Sequence, residues 1–240
     1  MFLPYLSVCS TAEGRQLMAK HGGVTAILTI QALHSTKESI NHLSVKIFAL
    51  LEKDPKTRLV LYHDTAVVTR LFQVLEGFRE REDIVQVTIE VMTGIASGKE
   101  AFGCDIVQLY SVAWSKTPLL TLSTEAKVRE TLLSLKSISP ILSCLERFPT
   151  NHHLISNGLT ALQLLASTNA GCIIAIHDGA VFHTVSILLR FTRMKDSEGV
   201  ISASISLLDT LTEHRLGRAH LKASDGLHAI INGLKALWGK

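Results

Sequence analysis

The sequence predicts an all-α fold, a solenoid of about five to six stacked three-helix repeats with incomplete terminal repeats. Three observations carry that prediction. Apolar residues recur at helical spacing along nearly the whole chain. Short, medium and long helical runs return in a fixed order, as in Gly158–Leu189, where GLTALQLLAST, CIIAIH and AVFHTVSILL are separated by breaks at Asn169-Ala170-Gly171 and Asp178-Gly179. The medium runs begin near Val24, Ala66, Ile106, Ile141, Val181 and Leu227, at spacings of 42, 40, 35, 40 and 46.

Taken in order, residues 2–11 read as the tail of a long helix. Gly14 opens a short helix, RQLMAKH, that stops at Gly22-Gly23. VTAILTIQAL follows, with Val24, Ile27, Leu28, Ile30 and Leu33 expected on one side. Glu38 then opens the long helix SINHLSVKIFALLEK, ending at Lys53. Asp54-Pro55 supplies a capping carboxylate and a first-turn proline, so a second short helix starts there. TRLVLYH, AVVTRLFQVL and EDIVQVTIEVMTGIAS complete that set. An offset of 42 places His21 on His63, Gln31 on Gln73 and Leu33 on Leu75.

The third set is worn. KEAFG is barely a turn, CDIVQLYSVAW is the medium helix, and KTPLLTLST is expected to be a loop before EAKVRETLLSL. The fourth lacks its short helix: SISPILSCLERF leads through Pro149 to a long helix over Asn151–Ser167. The fifth runs from Gly171 to His214. The sixth has LGRAHLKAS and DGLHAIINGLKALW. Across the long helices, Phe48, Met92, Leu132, Leu162 and Leu208 align as one buried column. Leu51, Ile95, Leu135, Leu165 and Leu211 form a second, three positions on.

With this period and these columns, the chain resembles the armadillo-repeat (ARM/HEAT-like) family, similar in layout to importin-α and β-catenin, over nearly its full length. The resemblance implies a right-handed superhelix whose third helices line a concave groove for extended peptides. In those families an Asn late in the third helix holds the peptide backbone. The matching positions here are Leu50, Gly94, Ser134, Leu164 and Thr210. The importin-α Trp, four residues earlier, corresponds to Lys46, Glu90, Glu130, Thr160 and Ser206. None matches, and Trp114 and Trp238 fall on medium helices, so the scaffold transfers and the import-receptor role does not.

Composition agrees with stacked helices: 47% hydrophobic, 19% charged and 5% aromatic residues. The net charge of +3 is uneven, with 12 Lys/Arg against 12 Asp/Glu in residues 1–120 and 12 against 9 in residues 121–240. No dominant basic face emerges of the kind that tracks phosphates. Cys9, Cys104, Cys144 and Cys172 sit in apolar helical contexts and read as buried thiols rather than disulfides. No Asn opens an N-x-Ser/Thr sequon, and MFLPYLSVCS lacks the basic start of a signal peptide. An intracellular setting, cytoplasmic or nuclear, is therefore expected. Residues 148–177 carry no Lys, Arg, Asp or Glu, yet Asn151, His152, His153, Asn157, Gln163 and Asn169 interrupt them too often for a membrane span.

Catalytic and metal chemistry find little foothold. Eleven histidines include His21, His63 and His177 at helix corners, where an imidazole is suited to capping carbonyls. No Cys-x-x-Cys or His-Glu-x-x-His spacing occurs, so no metal or cofactor is expected. GIASGK at Gly94–Lys99 resembles a phosphate loop but is one residue short, with Glu100 where Ser or Thr is needed. REREDI, from Arg79, reads as a solvated corner. The expected function is non-enzymatic: a protein–protein interaction scaffold or adaptor binding a helix or extended segment of another protein.

Its groove row follows from stepping four residues at a time along each long helix. The first two helices give His42, Lys46, Leu50 and Gln86, Glu90, Gly94. The third gives Ala126, Glu130 and Ser134. The last two give Ser156, Thr160, Leu164 and Ser202, Ser206, Thr210. The alternative, a helical-repeat protein that binds nucleic acid, needs a basic stripe where Glu90 and Glu130 stand. Residues 1–240 are expected to form a single repeat domain belonging to a longer solenoid. Phe2, Leu3, Tyr5 and Leu6 at one end and Ile230, Ile231, Leu234, Leu237 and Trp238 at the other are expected to associate end to end or meet further repeats.

Overall fold

The computed structural model describes residues 3–97 and 117–238. Among them are fifteen α-helices and no strand. The helices fall into two compact units, Met1–Leu135 and Lys136–Lys240.

The first unit holds α1 (Leu3–Cys9), α2 (Ala12–Lys20), α3 (Gly23–Leu33), α4 (Glu38–Glu52), α5 (Pro55–His63), α6 (Thr65–Gly77), α7 (Glu82–Ser97) and α8 (Thr117–Ser134). Like packs on like: α1 and α7 both lie against α4, α2 against α5, and α3 against α6. The helix ends follow the local chemistry. Asp54 caps α5 by accepting from Lys56 N at 2.9 Å, with Pro55 in the first turn. Asp64 caps α6 through Ala66 N, and Thr11 caps α2 through Gly14 N. Buried Asn41 ties down the α3–α4 loop, its Nδ2 donating to the carbonyls of Lys37, His34 and Ser35 at 2.9, 3.1 and 3.1 Å.

The second unit holds α9 (Ile138–Arg147), α10 (His152–Ala166), α11 (Asn169–His177), α12 (Ala180–Phe191), α13 (Glu198–Thr212), α14 (Arg215–Ala223) and α15 (Gly226–Trp238). The same rule holds, with α10 against α13, α11 against α14 and α12 against α15. Asn151 caps α10 and Thr168 caps α11. At the corner before α12, Gly179 adopts φ 85°, as Gly22 adopts 75° before α3. The α12–α13 loop is closed by buried Ser197, which donates to the carbonyls of Phe191 and Met194.

Both expected columns lie in the core. Phe48, Met92, Leu132, Leu162 and Leu208 are buried, as are Leu51, Ile95, Leu165 and Leu211; Leu135 is half-buried. The described junctions from a long helix into a short one are unusually close. A Cβ on Gly14, Gly171 or Gly217 would come closer than 3.0 Å to the carbonyl oxygen six residues earlier, on Val8, Leu165 or Leu211. At the same place in α5 stands Thr57, whose hydroxyl donates to Leu51 O, again six residues back.

Three expectations change. KTPLLTLST is not a loop: helix runs unbroken from Thr117 to Ser134, because Pro118 sits in the first turn, where a missing N–H leaves no bond unmade. The 42-residue register fails in the medium helices, since Leu33 is 74% exposed while Leu75 is fully buried. The buried residues Val24, Ile27 and Gln31 instead match Val68, Leu71 and Leu75, with the same 3-then-4 spacing. The imidazoles of His21 and His177 make no hydrogen bond to a helix-end carbonyl among the described residues. His21 closes α2 through its backbone N–H. The expected medium helix beginning at Cys104, with Trp114, lies outside the described residues.

Gln31 thus occupies a leucine position. It is fully buried, and neither its Oε1 nor its Nε2 has a hydrogen-bond partner. A neighbour, Arg70, uses the Gln31 backbone carbonyl and not the amide. Burying an unsatisfied amide costs about 1–3 kcal/mol. Gln31→Leu is expected to raise the unfolding free energy by about 1–2 kcal/mol on that basis, seen as a higher urea midpoint with an unchanged m-value.

No single described helix is long and apolar enough to cross a membrane. The pair α11–α12 meets the length and composition requirement only with a 71° bend between its halves.

Candidate functional site

The expected row lies on the solvent side of the long helices, above the two buried columns. His42, Leu50, Gln86 and Gly94 are half-buried, while Lys46, Glu90, Ala126, Glu130 and Ser134 are exposed. In the second unit Ser156, Thr160, Leu164, Ser206 and Thr210 are half-buried and Ser202 is exposed. The periodicity explains this: residues at i, i+4 and i+8 share the helix face opposite the columns.

In the first unit the head of the row is a charged cluster. His42 Nδ1 lies 3.5 Å from Asp83 Oδ2, Arg81 pairs with Glu38, and Arg81 Nη2 lies 3.5 Å from Asp83. Burial pushes the His42 imidazole below its ordinary range, Lys46 and Arg81 push the same way, and Asp83 and Glu38 oppose them. The ring is therefore neutral at pH 7, and its 3.5 Å approach to Asp83 is not an ion pair there. At the tail, Gly94 makes room for Glu52, whose Oε1 would lie 2.6 Å from a Cβ there. Arg58 holds that carboxylate at 3.2 Å.

In the second unit the row is uncharged. Ser156 Oγ reaches Gly199 O at 3.5 Å. The hydroxyls of Thr160 and Thr210 donate to Ser156 O and Ser206 O of their own helices, at 2.9 and 3.1 Å. Their protons are thus spent within the helix, which leaves each hydroxyl only acceptor lone pairs for a partner. His152, one turn before Ser156, extends the row: its Nδ1 lies 3.2 Å from Asp196 O and its ring meets Phe191 edge-on at 4.9 Å.

Where the row ends at Thr210, the second unit contains a cavity of about 260 Å³. Ala166 and Ser167 at the end of α10, Cys172 on α11, and Glu213 and His214 after α13 line it with Thr210. Burial raises the Cys172 thiol above its usual range and Glu213 adds to the effect, so the thiol stays protonated at neutral pH. His214 Nδ1 accepts from Leu216 N at 3.2 Å and caps α14.

The row was legible in the sequence; two parts of the site were not. Glu38, Arg81 and Asp83 join His42 across two helices, although a further step of four back from His42 already lands on Glu38. The cavity follows from one position in the short helices that pattern-matching on apolar residues passes over. Among the described residues, no three His, Cys, Asp or Glu side chains come together in a way that would hold a metal ion. No protein family, curated protein or solved structure matches the chain.

Proposed function

We propose that the chain is an armadillo-like, right-handed α-solenoid acting as a non-enzymatic interaction scaffold, which binds a partner segment along the row of its long helices. The observation that carries this reading is the second unit's row. Ser156, Thr160, Leu164, Ser206 and Thr210 are small or apolar and partly open to solvent, on two helices whose other faces are locked into the core. Short side chains let a partner's backbone approach and leave room for its own bulky anchors. The packing of long on long, medium on medium and short on short is what a stacked-repeat protein requires. Glu90 and Glu130 make the row a poor surface for nucleic acid. The buried thiols suit a reducing, intracellular setting. The apolar face of α15, where Trp238 is 78% and Ile231 51% exposed, offers a second surface, for end-to-end association or for further repeats.

Capture of partners on the immobilised chain, read by mass spectrometry, tests the groove. Thr160→Trp and Ser206→Trp are expected to lose the captured partner while keeping the helical circular-dichroism signal. Arg79→Glu is the matched control, since Arg79 lies on the corner and its contact with Glu80 is a loose 3.9 Å. Loss of binding in the corner variant but not in the tryptophan variants moves the partner to the outer edge and overturns the proposal.

A further inference from the structure

The short helices share a capping device built from arginine. Arg15 follows Gly14 and donates to the carbonyls of Cys9 and Ser10 at 3.1 and 3.3 Å. Arg58 follows Thr57 and donates to Glu52 O at 2.7 Å. Arg218 follows Gly217 and donates to Thr212 O and Glu213 O at 2.7 and 2.9 Å. In each case a guanidinium turns back five or six residues onto the last carbonyls of the preceding helix, where the helix dipole leaves negative charge.

One described short helix departs from this rule. After Gly171, at the position of those arginines, α11 carries Cys172, whose sulfur faces the carbonyls of Thr210 and Leu211 at 4.0 Å instead. Six and five residues back lie Ala166 and Ser167, and it is there that the 260 Å³ cavity opens. The space has room for a guanidinium on its stem, and it is smaller than the roughly 300–1,000 Å³ of pockets for drug-sized molecules. Its charge matches too. The carbonyl end of α10 forms one wall, Glu213 forms another and makes no ion pair with a described residue, and no Lys or Arg lines the space.

We propose that this cavity is a receptor for a guanidinium group, supplied by an arginine side chain of a bound partner. The partner's arginine does in trans what Arg15, Arg58 and Arg218 do within the chain. Its planar fork matches paired carbonyls and a carboxylate better than an ammonium does. Thr210 belongs both to the row and to the cavity wall, so a segment lying along the row has its anchor at that end. The source of the arginine rests on the groove reading; the cavity's preference for guanidinium does not.

The test is an amide-resolved NMR titration of the full chain with N-acetyl-arginine amide, beside the isosteric, uncharged N-acetyl-citrulline amide. The arginine probe is expected to give saturable shifts at residues 166–169 and 210–214, and citrulline none. Cys172→Arg fills the cavity from within and is expected to abolish the shifts. Glu213→Gln should weaken the probe by about tenfold, the scale of one charge-assisted hydrogen bond, and keeps the test decisive if Cys172→Arg does not fold. Equal response to the two probes, no saturation, or undiminished binding in the variants overturns the inference. Probe binding alongside intact partner capture by Thr160→Trp would sink the groove reading alone. Loss of capture in Thr160→Trp without probe binding would sink the cavity alone.

Discussion

Leu162→Ala is expected to lower the stability of the second unit by about 2–5 kcal/mol, the range for emptying a fully enclosed leucine site. Leu162 has no exposed surface and lies mid-helix on α10, which packs between α9, α11 and α13. The neighbours are themselves rigidly held: Leu159, Leu165 and Leu208 are all buried, so the wall around the gap has little freedom to collapse. Urea unfolding followed at a second-unit probe should show an earlier midpoint at constant m-value. A loss below about 1 kcal/mol, the cost of an ordinary point mutation, would mean that the column is not the packing axis of the long helices.

Gly171→Ala is expected to be nearly as damaging, at about 3 kcal/mol, although it adds only one methyl group. Its Cβ would run into the carbonyl of Leu165, which is backbone and has no rotamer to move away in. The α10–α11 junction would have to widen, and Thr168, which caps α11 through Gly171 N, would be dragged with it. Gly77→Ala is the counter-experiment. Nothing lies within 4 Å of a Cβ there, so alanine should stabilise by about 0.4–1 kcal/mol through the unfolded chain. If both substitutions behave alike in thermal melts, close approach is not why glycine stands at position 171.

The long helices were legible because their core positions are apolar twice per turn pair in every copy, and a column such as Phe48, Met92 and Leu162 has no other use. The medium helices were not, because residue identity misled. By residue identity Gln31 aligns with Gln73, whereas by burial it aligns with Leu75. Pro118 and a run of Thr and Ser looked like a loop because composition does not register that a first-turn proline is harmless. For the candidate site, exposure of the row followed from periodicity alone. The His42–Asp83 contact joins residues 41 positions apart in sequence, and only packing of α4 on α7 brings them together. The cavity depends on an exception to a capping rule that becomes visible only when the bonds of Arg15, Arg58 and Arg218 are seen.

The buried cysteines give each unit its own clock. Cys172 borders the cavity, but Cys9 in the first unit and Cys144 in the second are enclosed and outside any disulfide. An alkylating reagent reaches such a sulfur only through an opening of its surroundings. At Cys9 burial outweighs the pull of Arg15 and keeps the group protonated, which suppresses background reaction from the closed state. Native alkylation rates at positions 9 and 144 therefore time the breathing of the two halves separately, in the unmodified chain and with no introduced label.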